Sequence, residues 1–194
     1  MKRLILAVLL FVVLLVAYWV WPFIGLGALA ASLQTRNTAA LSEQVDFGRL
    51  RRHLAGQIIT TYLRITGRDK KLGPLGALAP AIGVSIVDPW LAQTVNPGNL
   101  VELLRGGTIS SELGPISFHI GEIPKLSLGT AWTAWLGSEY GLGRFLITLP
   151  ADAEPAEQFR LRMQLLQWHW KLTEIDLPEK LRNQVARELA KKYP

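Results

Sequence analysis

The sequence predicts an α+β fold in which an N-terminal transmembrane helix is followed by helices packed on an antiparallel β-meander. Three observations carry this prediction. The chain begins with an uncharged apolar run, its middle repeats apolar residues at helical spacing, and its C-terminal part alternates apolar and polar residues. A change of period from about 3.6 to 2 is typical of helices followed by strands. Such an order places the helices on the apolar face of one sheet.

Composition limits the class of protein. Only Lys2 and Arg3 of the 21 basic residues precede the apolar run, so nineteen basic and fifteen acidic residues follow it, an excess of +4. A nucleic-acid binder usually concentrates more positive charge on one face, so no nucleic-acid partner is predicted. The 194-residue chain has no cysteine, which excludes disulfides, thiol catalysis and cysteine-based zinc sites.

Residues 1–23 are predicted to form a transmembrane signal-anchor that meets the lipid bilayer through residues 4–23. Between Leu4 and Thr35 the chain carries neither a charge nor a histidine. Its first seventeen residues would form a helix of roughly 25 Å, close to the hydrocarbon core of about 30 Å. The headgroup layer favours aromatic side chains, and four lie at the end of this run: Tyr18, Trp19, Trp21 and Phe23.

The basic residues around the run predict its orientation. Lys2 and Arg3 precede it and only Arg36 follows closely, so the positive-inside rule predicts a cytoplasmic N-terminus and a periplasmic domain at a bacterial inner membrane. A cleaved signal peptide is the alternative, because residues 28–30 have the small-x-small form that signal peptidase accepts. The apolar core is longer than the usual 7–15 residues or so, and the cleavage site lies well beyond it, which favours a retained anchor.

The rest of the chain divides into a stalk helix over residues 24–37, an α+β domain over residues 38–178 and a basic amphipathic helix over residues 179–194. The stalk keeps the apolar spacing of a helix and continues the anchor. Lys191 and Lys192 complement the C-terminal dipole of the last helix.

Capping residues predict where the helices of the domain begin and end. Asp46 is the expected N-cap of the clearest helix, and Gly67 its C-terminal stop. Its apolar stripe consists of Phe47, Leu50, Leu54, Ile58, Tyr62 and Ile65. The apolar segment 75–95 contains two prolines, which predicts a kinked buried helix or two short helical pieces. Asn96 followed by Pro97 begins a further short helix.

Three segments with alternating apolar residues predict an antiparallel meander with one buried face. The apolar residues of the first segment are Phe145, Ile147 and Leu149, and those of the second are Phe159, Leu161, Met163 and Leu165. In the third segment the apolar residues are Trp168, Trp170 and Leu172, and the polar residues are His169, Lys171 and Thr173. Residues 131–140 are expected to add a fourth strand before a tight turn at 141–143. Alternation at Ile116, Phe118 and Ile120 predicts one more short strand.

The order of four motifs resembles a family of bacterial membrane proteins. The motifs are an anchor that begins KRL and ends in aromatics, then AALSEQVDFGRLRRHL, VNPGNLVELL and WHWKLTEIDLP. They are similar to the "A…L…VDF..LR", "TP.GL..LL" and "W.LT.I.LP" patterns of domain of unknown function 2939. The matching residues are Val45, Asp46, Phe47, Leu50, Arg51, Pro97, Gly98, Leu100, Trp170, Lys171, Leu172, Thr173, Ile175, Leu177 and Pro178.

The resemblance covers most of the chain in patches and leaves out residues 106–130 and the tail after Pro178. It implies a location and an architecture but no reaction, because the family has no assigned activity. Its layout of helices before a meander is similar to cone-shaped nuclear-transport-factor-like and cystatin-like folds.

No motif predicts catalysis, a metal site or a cofactor. The three histidines, His53, His119 and His169, lack metal-ligand spacing and have no serine or aspartate nearby in a known arrangement. Ser85 lies in GVSIV, which lacks the second glycine of a nucleophile elbow. Residues 141–143 lack the third glycine of a dinucleotide loop. The chain is therefore predicted not to be an enzyme.

Two sets of residues are candidates for binding. The first set consists of Trp90, Trp132, Trp135, Trp168 and Trp170. These tryptophans would line an apolar cavity for a lipid or another hydrophobic ligand. The favoured interpretation is that they simply fill the core. The second should share the outer face of the sheet: Arg144, Arg160, Arg162 and Lys171. Like charges facing one another are unfavourable without an acidic partner, which an anionic lipid or an acidic envelope protein would supply, although a solvated face remains the favoured interpretation.

These observations together predict a non-catalytic binding or interaction module of the cell envelope, held by one transmembrane helix. A carrier or sensor of a hydrophobic ligand in a tryptophan-lined cavity is the alternative, and a hydrolase is less favoured.

Overall fold

A computed structural model describes residues 2–68, 79–105, 107–111, 114–117, 139–141, 143–149, 154 and 156–192. Its helices are α1 (Lys2–Gln34), α2 (Thr38–Gln44), α3 (Phe47–Thr66), α4 (Ala79–Thr94), α5 (Pro97–Leu104) and α6 (Glu179–Lys192). Its strands are β1 (Thr108–Ser111), β2 (Gly114–Ser117), β3 (Glu139–Gly141), β4 (Arg144–Leu149), β5 (Phe159–Leu166) and β6 (His169–Asp176). The predicted α+β class, with a long apolar helix at the N-terminus, is confirmed.

The segments expected to form anchor and stalk are one continuous helix of 33 residues, α1. It is long and apolar enough to cross a membrane, and a signal sequence can have the same character. The apolar side chains of residues 4–16 are exposed. From Pro22 onward α1 enters the domain and buries Leu26, Leu29 and Leu33 in the core. A single helix therefore joins the exposed apolar segment to the domain.

Side-chain caps set the ends of the helices as expected. The Asp46 carboxylate accepts a hydrogen bond from the Arg49 amide at 3.0 Å, and Asn96 accepts one from Asn99 at 2.9 Å. Gly67 ends α3 with a left-handed φ of 65°, which glycine adopts without strain. The proline-containing segment is one helix from Ala79 to Thr94, while residues 75–78 lie outside the described residues.

The sheet is an antiparallel meander in the order β3-β4-β5-β6. Strands β4 and β5 follow the predicted pattern, with Phe145 opposite Met163 and Ile147 opposite Leu161 on the buried face. Of the predicted strand at 131–140, Glu139 and Tyr140 belong to β3, and residues 131–138 lie outside the described residues. β2 contains the predicted Ile116 and pairs with β1 in a separate hairpin.

Two expectations about the last strand are wrong. Trp168 does not begin it, because Gln167 and Trp168 form a two-residue turn between the paired Leu166 and His169. Thr173 is buried rather than on the polar face, and its hydroxyl donates to the Arg162 carbonyl at 3.2 Å. The cause is a bulge in register after Arg162, which inserts one residue and shifts the alternation.

The core lies between the apolar face of the sheet and the helices. Phe23 of α1 packs edge-on against Phe145, with ring centroids 5.1 Å apart. The free edge of β6 is covered where the Asp46 amide donates to the Leu172 carbonyl at 2.9 Å. The C-terminal helix α6 packs on α3 and buries Val185, Ala186 and Leu189, so it belongs to the domain core.

Candidate functional site

The three predicted tryptophans that the structure describes do not line one common cavity. Trp170 is buried in the core, whereas Trp168 is 74% exposed at the β5–β6 turn. Trp90 is partly buried among helices. Trp132 and Trp135 lie outside the described residues. Trp90 lines a cavity.

That cavity is apolar and small. Its volume is about 40 Å³, and residues of α3, α4, α5 and α6 surround it, among them Leu54, Ile58, Leu91, Leu103 and Val185. Pockets that bury drug-sized ligands measure roughly 300–1,000 Å³. The cavity is therefore far too small for a lipid tail in the part of the chain that the structure describes.

The four predicted basic residues share the outer face of the sheet but fall into two groups. Arg162 lies opposite Glu174 and forms an ion pair with it, and Arg160 lies opposite Asp176. The acidic partners that these arginines need are thus present in the same chain. Arg144 and Lys171 form the other group at the opposite end of the sheet, each across from Gln164.

Helix α3 adds a histidine to the first group. His53 Nε2 lies 2.6 Å from Asp176 Oδ1, and His53 Nδ1 lies 3.7 Å from Glu174 Oε2. The hydrogen bond from His53 lowers the pKa of Asp176; burial opposes this shift, and the charges of His53, Arg162 and Arg160 reinforce it. These contacts bind α3 to the end of β6.

A basic groove runs between α3 and α6 beside His53. It is an open depression of about 430 Å³ lined by Arg52, His53, Gly56, Gln57, Thr60, Thr61, Arg64 and Arg182. Arg64 lies 3.6 Å from Glu179, and the buried Arg182 Nε has no hydrogen-bond partner among the described residues. Gln57 fixes the floor, because its side-chain amide donates to the Ile175 carbonyl at 2.8 Å and its oxygen accepts from the Leu177 amide at 3.0 Å.

Sequence reasoning missed this groove. Arg52 and Arg64 were recognisable only as residues off the apolar stripe of α3, and Arg182 as one charge of a basic helix. The pairing of α3 with α6 depends on a tertiary contact between segments far apart in the chain, and periodicity within one segment does not reveal such a contact.

Two turns of the sheet reach α1 where its exposed apolar part ends. At the β3–β4 turn the Gly143 amide donates to the Tyr18 hydroxyl at 3.3 Å. At the β5–β6 turn Trp168 stacks on Trp21, with ring centroids 6.2 Å apart and an interplanar angle of 25°. The same end of the sheet carries Arg144. We call the two turns and Arg144 with Lys171 the α1-proximal end of the sheet.

Residues 11–103 match the family described as Protein of unknown function (DUF2939). The match confirms the resemblance to this family that the sequence predicted. It includes most of α1 and all of α2 to α4, whereas the strands and α6 lie beyond it. Neither the curated proteins nor the solved structures contain a significant match to this chain.

Proposed function

We propose that this chain is a single-pass protein of a bacterial inner membrane whose periplasmic α+β domain is a non-catalytic binding module of the cell envelope. The observation that carries the proposal is the continuity of α1. Its exposed apolar residues would contact the bilayer through residues 4–23, and its last three turns are part of the domain core.

Retention of the anchor follows from the same helix. Leu29 and Ala30, which belong to the candidate cleavage site, are buried inside the domain. Cleavage after Ala30 would remove Leu26 and Leu29 from the core and leave a cavity there. A signal peptide ordinarily contributes nothing to the fold of the mature protein, so this burial favours an anchor.

The binding role is supported by the basic groove. Its arginines present planar, always-charged donors, which recognise carboxylates in a bidentate geometry. An acidic segment of an envelope protein is the partner that fits this open, cationic surface. The cavity of about 40 Å³ gives no support to the alternative function of a hydrophobic-ligand carrier.

The first test concerns topology. Alkaline phosphatase and green fluorescent protein are fused separately to the C-terminus of the full chain, and each fusion is sized by immunoblot. We expect active phosphatase, a dark fluorophore and a band of uncleaved size. A bright fluorophore with inactive phosphatase would place the domain in the cytoplasm and overturn the proposed location, and a shortened band would overturn retention.

The second test concerns the groove. Binding of a labelled polyglutamate peptide to the detergent-solubilised full chain is measured by fluorescence anisotropy at increasing salt. We expect salt-sensitive binding that Arg52→Glu with Arg182→Glu abolishes. Arg51→Glu with Arg187→Glu is the control, because Arg187 is exposed, Arg51 is only partly buried, and neither lines the groove. Equal loss in both double variants would show that net charge alone, and not the groove, attracts the peptide.

A further inference from the structure

Neither the residue preferences of tight turns nor burial in the core explains a tryptophan at position 168. It occupies the second position of a two-residue turn, with φ of 65°, after Gln167 with φ of 49°. Turns of this kind favour asparagine and glycine, because a side chain raises the energy of the left-handed conformation. Yet the position holds a tryptophan that is 74% exposed. An exposed indole on a strained turn is expected where its surroundings are something other than water.

The position of the turn along α1 identifies those surroundings. Trp168 stacks on Trp21, and Gly143 of the neighbouring turn bonds to Tyr18. These two aromatic residues lie at the end of the exposed apolar segment, within one turn before the first buried side chain, Pro22. If α1 spans a bilayer, its aromatic end marks the headgroup layer. The two turns then reach the same depth as that layer.

The charges at this end of the sheet fit the same placement. Arg144 directly follows the β3–β4 turn, and Lys171 lies three residues after Trp168. Among the side chains that the structure describes, no acidic group forms an ion pair with either cation, whereas Arg162 at the other end is paired with Glu174. Long basic side chains close to a bilayer extend their charge to the headgroup phosphates while their stems stay among apolar groups.

We infer that the α1-proximal end of the sheet is a second membrane contact, in which Trp168 enters the headgroup layer and Arg144 and Lys171 bind the phosphates of anionic lipids. This inference rests on the proposed anchoring of α1. It adds that the domain itself contacts the bilayer, through one end of the sheet. The basic groove lies beside His53, which contacts Asp176 at the other end of β6. In this arrangement the groove faces away from the membrane.

The test uses the absence of native cysteine, which allows one labelled cysteine per variant. Full chains carrying Gln167→Cys, Ala156→Cys or Leu10→Cys are labelled with bimane and reconstituted into phosphatidylcholine vesicles with or without phosphatidylglycerol. Quenching is then measured with lipids that carry a nitroxide near the headgroup for residues 167 and 156, and with lipids that carry one on the acyl chain for residue 10. Residue 156 is the matched control, because it is exposed and precedes β5, whose eight residues place it roughly 26 Å from the β5–β6 turn.

We expect the label at residue 167 to be quenched strongly and the label at residue 156 weakly. Quenching at residue 167 as weak as at residue 156, with residue 10 still quenched, would overturn the second contact and leave the anchor intact. Absence of quenching at residue 10 would instead overturn the anchor itself, and the second contact with it. The three positions thus separate the two failures.

The charge contribution is tested in the Gln167→Cys chain. Adding Arg144→Gln and Lys171→Gln is expected to remove the part of the quenching that depends on phosphatidylglycerol. Arg51→Gln with Arg187→Gln lowers the net charge equally at positions away from this end, and should leave the quenching unchanged. Unchanged quenching in the Arg144 and Lys171 variant would overturn the binding of anionic headgroups. Circular dichroism of each variant verifies that the fold is retained.

Discussion

Gly25 is the residue at which α1 comes closest to the sheet. A Cβ atom at this position would lie 2.5 Å from the Trp170 Cβ and 3.4 Å from the Trp170 carbonyl oxygen. Neither atom is the free end of a flexible side chain, so a larger residue must push the helix away from β6. The absence of a side chain at one position therefore sets the distance between the helix and the sheet.

Gly25→Ala is expected to destabilise the fold by about 1–2 kcal/mol. The gain in helix propensity of about 0.5–1 kcal/mol is outweighed by overpacking, which costs about 1–3 kcal/mol. Gly56→Ala is the matched control, because its Cβ would meet no atom within 4 Å, and it should stabilise α3 by about 0.5–1 kcal/mol. Thermal unfolding followed by circular dichroism in detergent measures both; a shift of the same sign in the two variants would contradict the argument.

The contact between His53 and Asp176 predicts an acid-sensitive part of the stability. The pKa of the Asp176 carboxyl is lowered in the folded state, chiefly by the hydrogen bond from His53. The stability it contributes is therefore complete above the unfolded pKa near 3.8 and is lost as the pH falls through the lower folded value. His53→Phe should remove about 1 kcal/mol at neutral pH, since Asp176 is partly exposed to solvent.

Denaturant unfolding at pH 7 and below pH 3 measures this difference. The stability lost in His53→Phe should shrink at the lower pH, as the carboxyl becomes protonated. The exposed His169 serves as control, because its ring is hydrogen-bonded to the Gln167 carbonyl, at 2.8 Å, and forms no ion pair among the described residues; His169→Phe should show no such pH dependence. A loss in His53→Phe that is independent of pH would mean that packing, not the carboxylate, is responsible.

At the scale of elements, most helices and the meander were predictable because local signals define them. Asp46 and Gly67 delimit α3, and the alternation along β4 and β5 identifies their buried face. The errors at Trp168 and Thr173 have a different origin. A turn of two non-glycine residues and a bulge both interrupt a period of 2 without any residue that normally signals an interruption.

Of the two candidate binding sets, the sequence correctly placed four basic residues on one face but did not reveal their acidic neighbours. Glu174 lies opposite Arg162, and Asp176 lies opposite Arg160, because of the strand register. Alternation along a single strand does not determine that register. The groove depends on the packing of α6 against α3, which no local pattern records.

At the turn of Gln167 and Trp168, replacement of Trp168 by glycine and by alanine is expected to change the stability differently. Trp168→Ala loses the contact with Trp21, worth about 0.5–1.5 kcal/mol, and retains the left-handed strain. Trp168→Gly loses the same contact but relieves strain of about 1–2 kcal/mol. Trp168→Gly should therefore be more stable than Trp168→Ala by about 1 kcal/mol, as measured by denaturant unfolding in detergent. The reverse order would mean that the turn is not left-handed in solution.

Helix α6 is expected to be necessary for the fold and not an independent appendage. Leu189 is buried, and Leu189→Ala should cost about 2–3 kcal/mol, within the range for large-to-small changes in a core. Arg187→Ala, at an exposed position two residues earlier, should change the free energy of unfolding by less than about 0.5 kcal/mol. Equal small effects at both positions would contradict the packing of α6 on α3.

The whole molecule is organised around α1, whose two parts have different environments. A chain that begins at Trp21 keeps the buried Leu26, Leu29 and Leu33, and is expected to fold and unfold cooperatively in aqueous buffer. A chain that begins at Thr38 loses all three, at about 2–5 kcal/mol each, which is comparable with the total stability of a typical domain. Circular dichroism with thermal melts compares the two chains. A cooperative transition in the shorter chain would show that α1 is dispensable.

The close seat of α1 on β6 also links the domain to the mechanics of the bilayer. A transmembrane helix tilts when its apolar length exceeds the thickness of the hydrocarbon layer. Because α1 continues as one helix through Pro22 into the core and Gly25 lies against Trp170, a tilt of the helix is expected to turn the sheet with it. In an anchored chain, membrane thickness therefore sets the angle at which the domain presents its surfaces to the surrounding compartment.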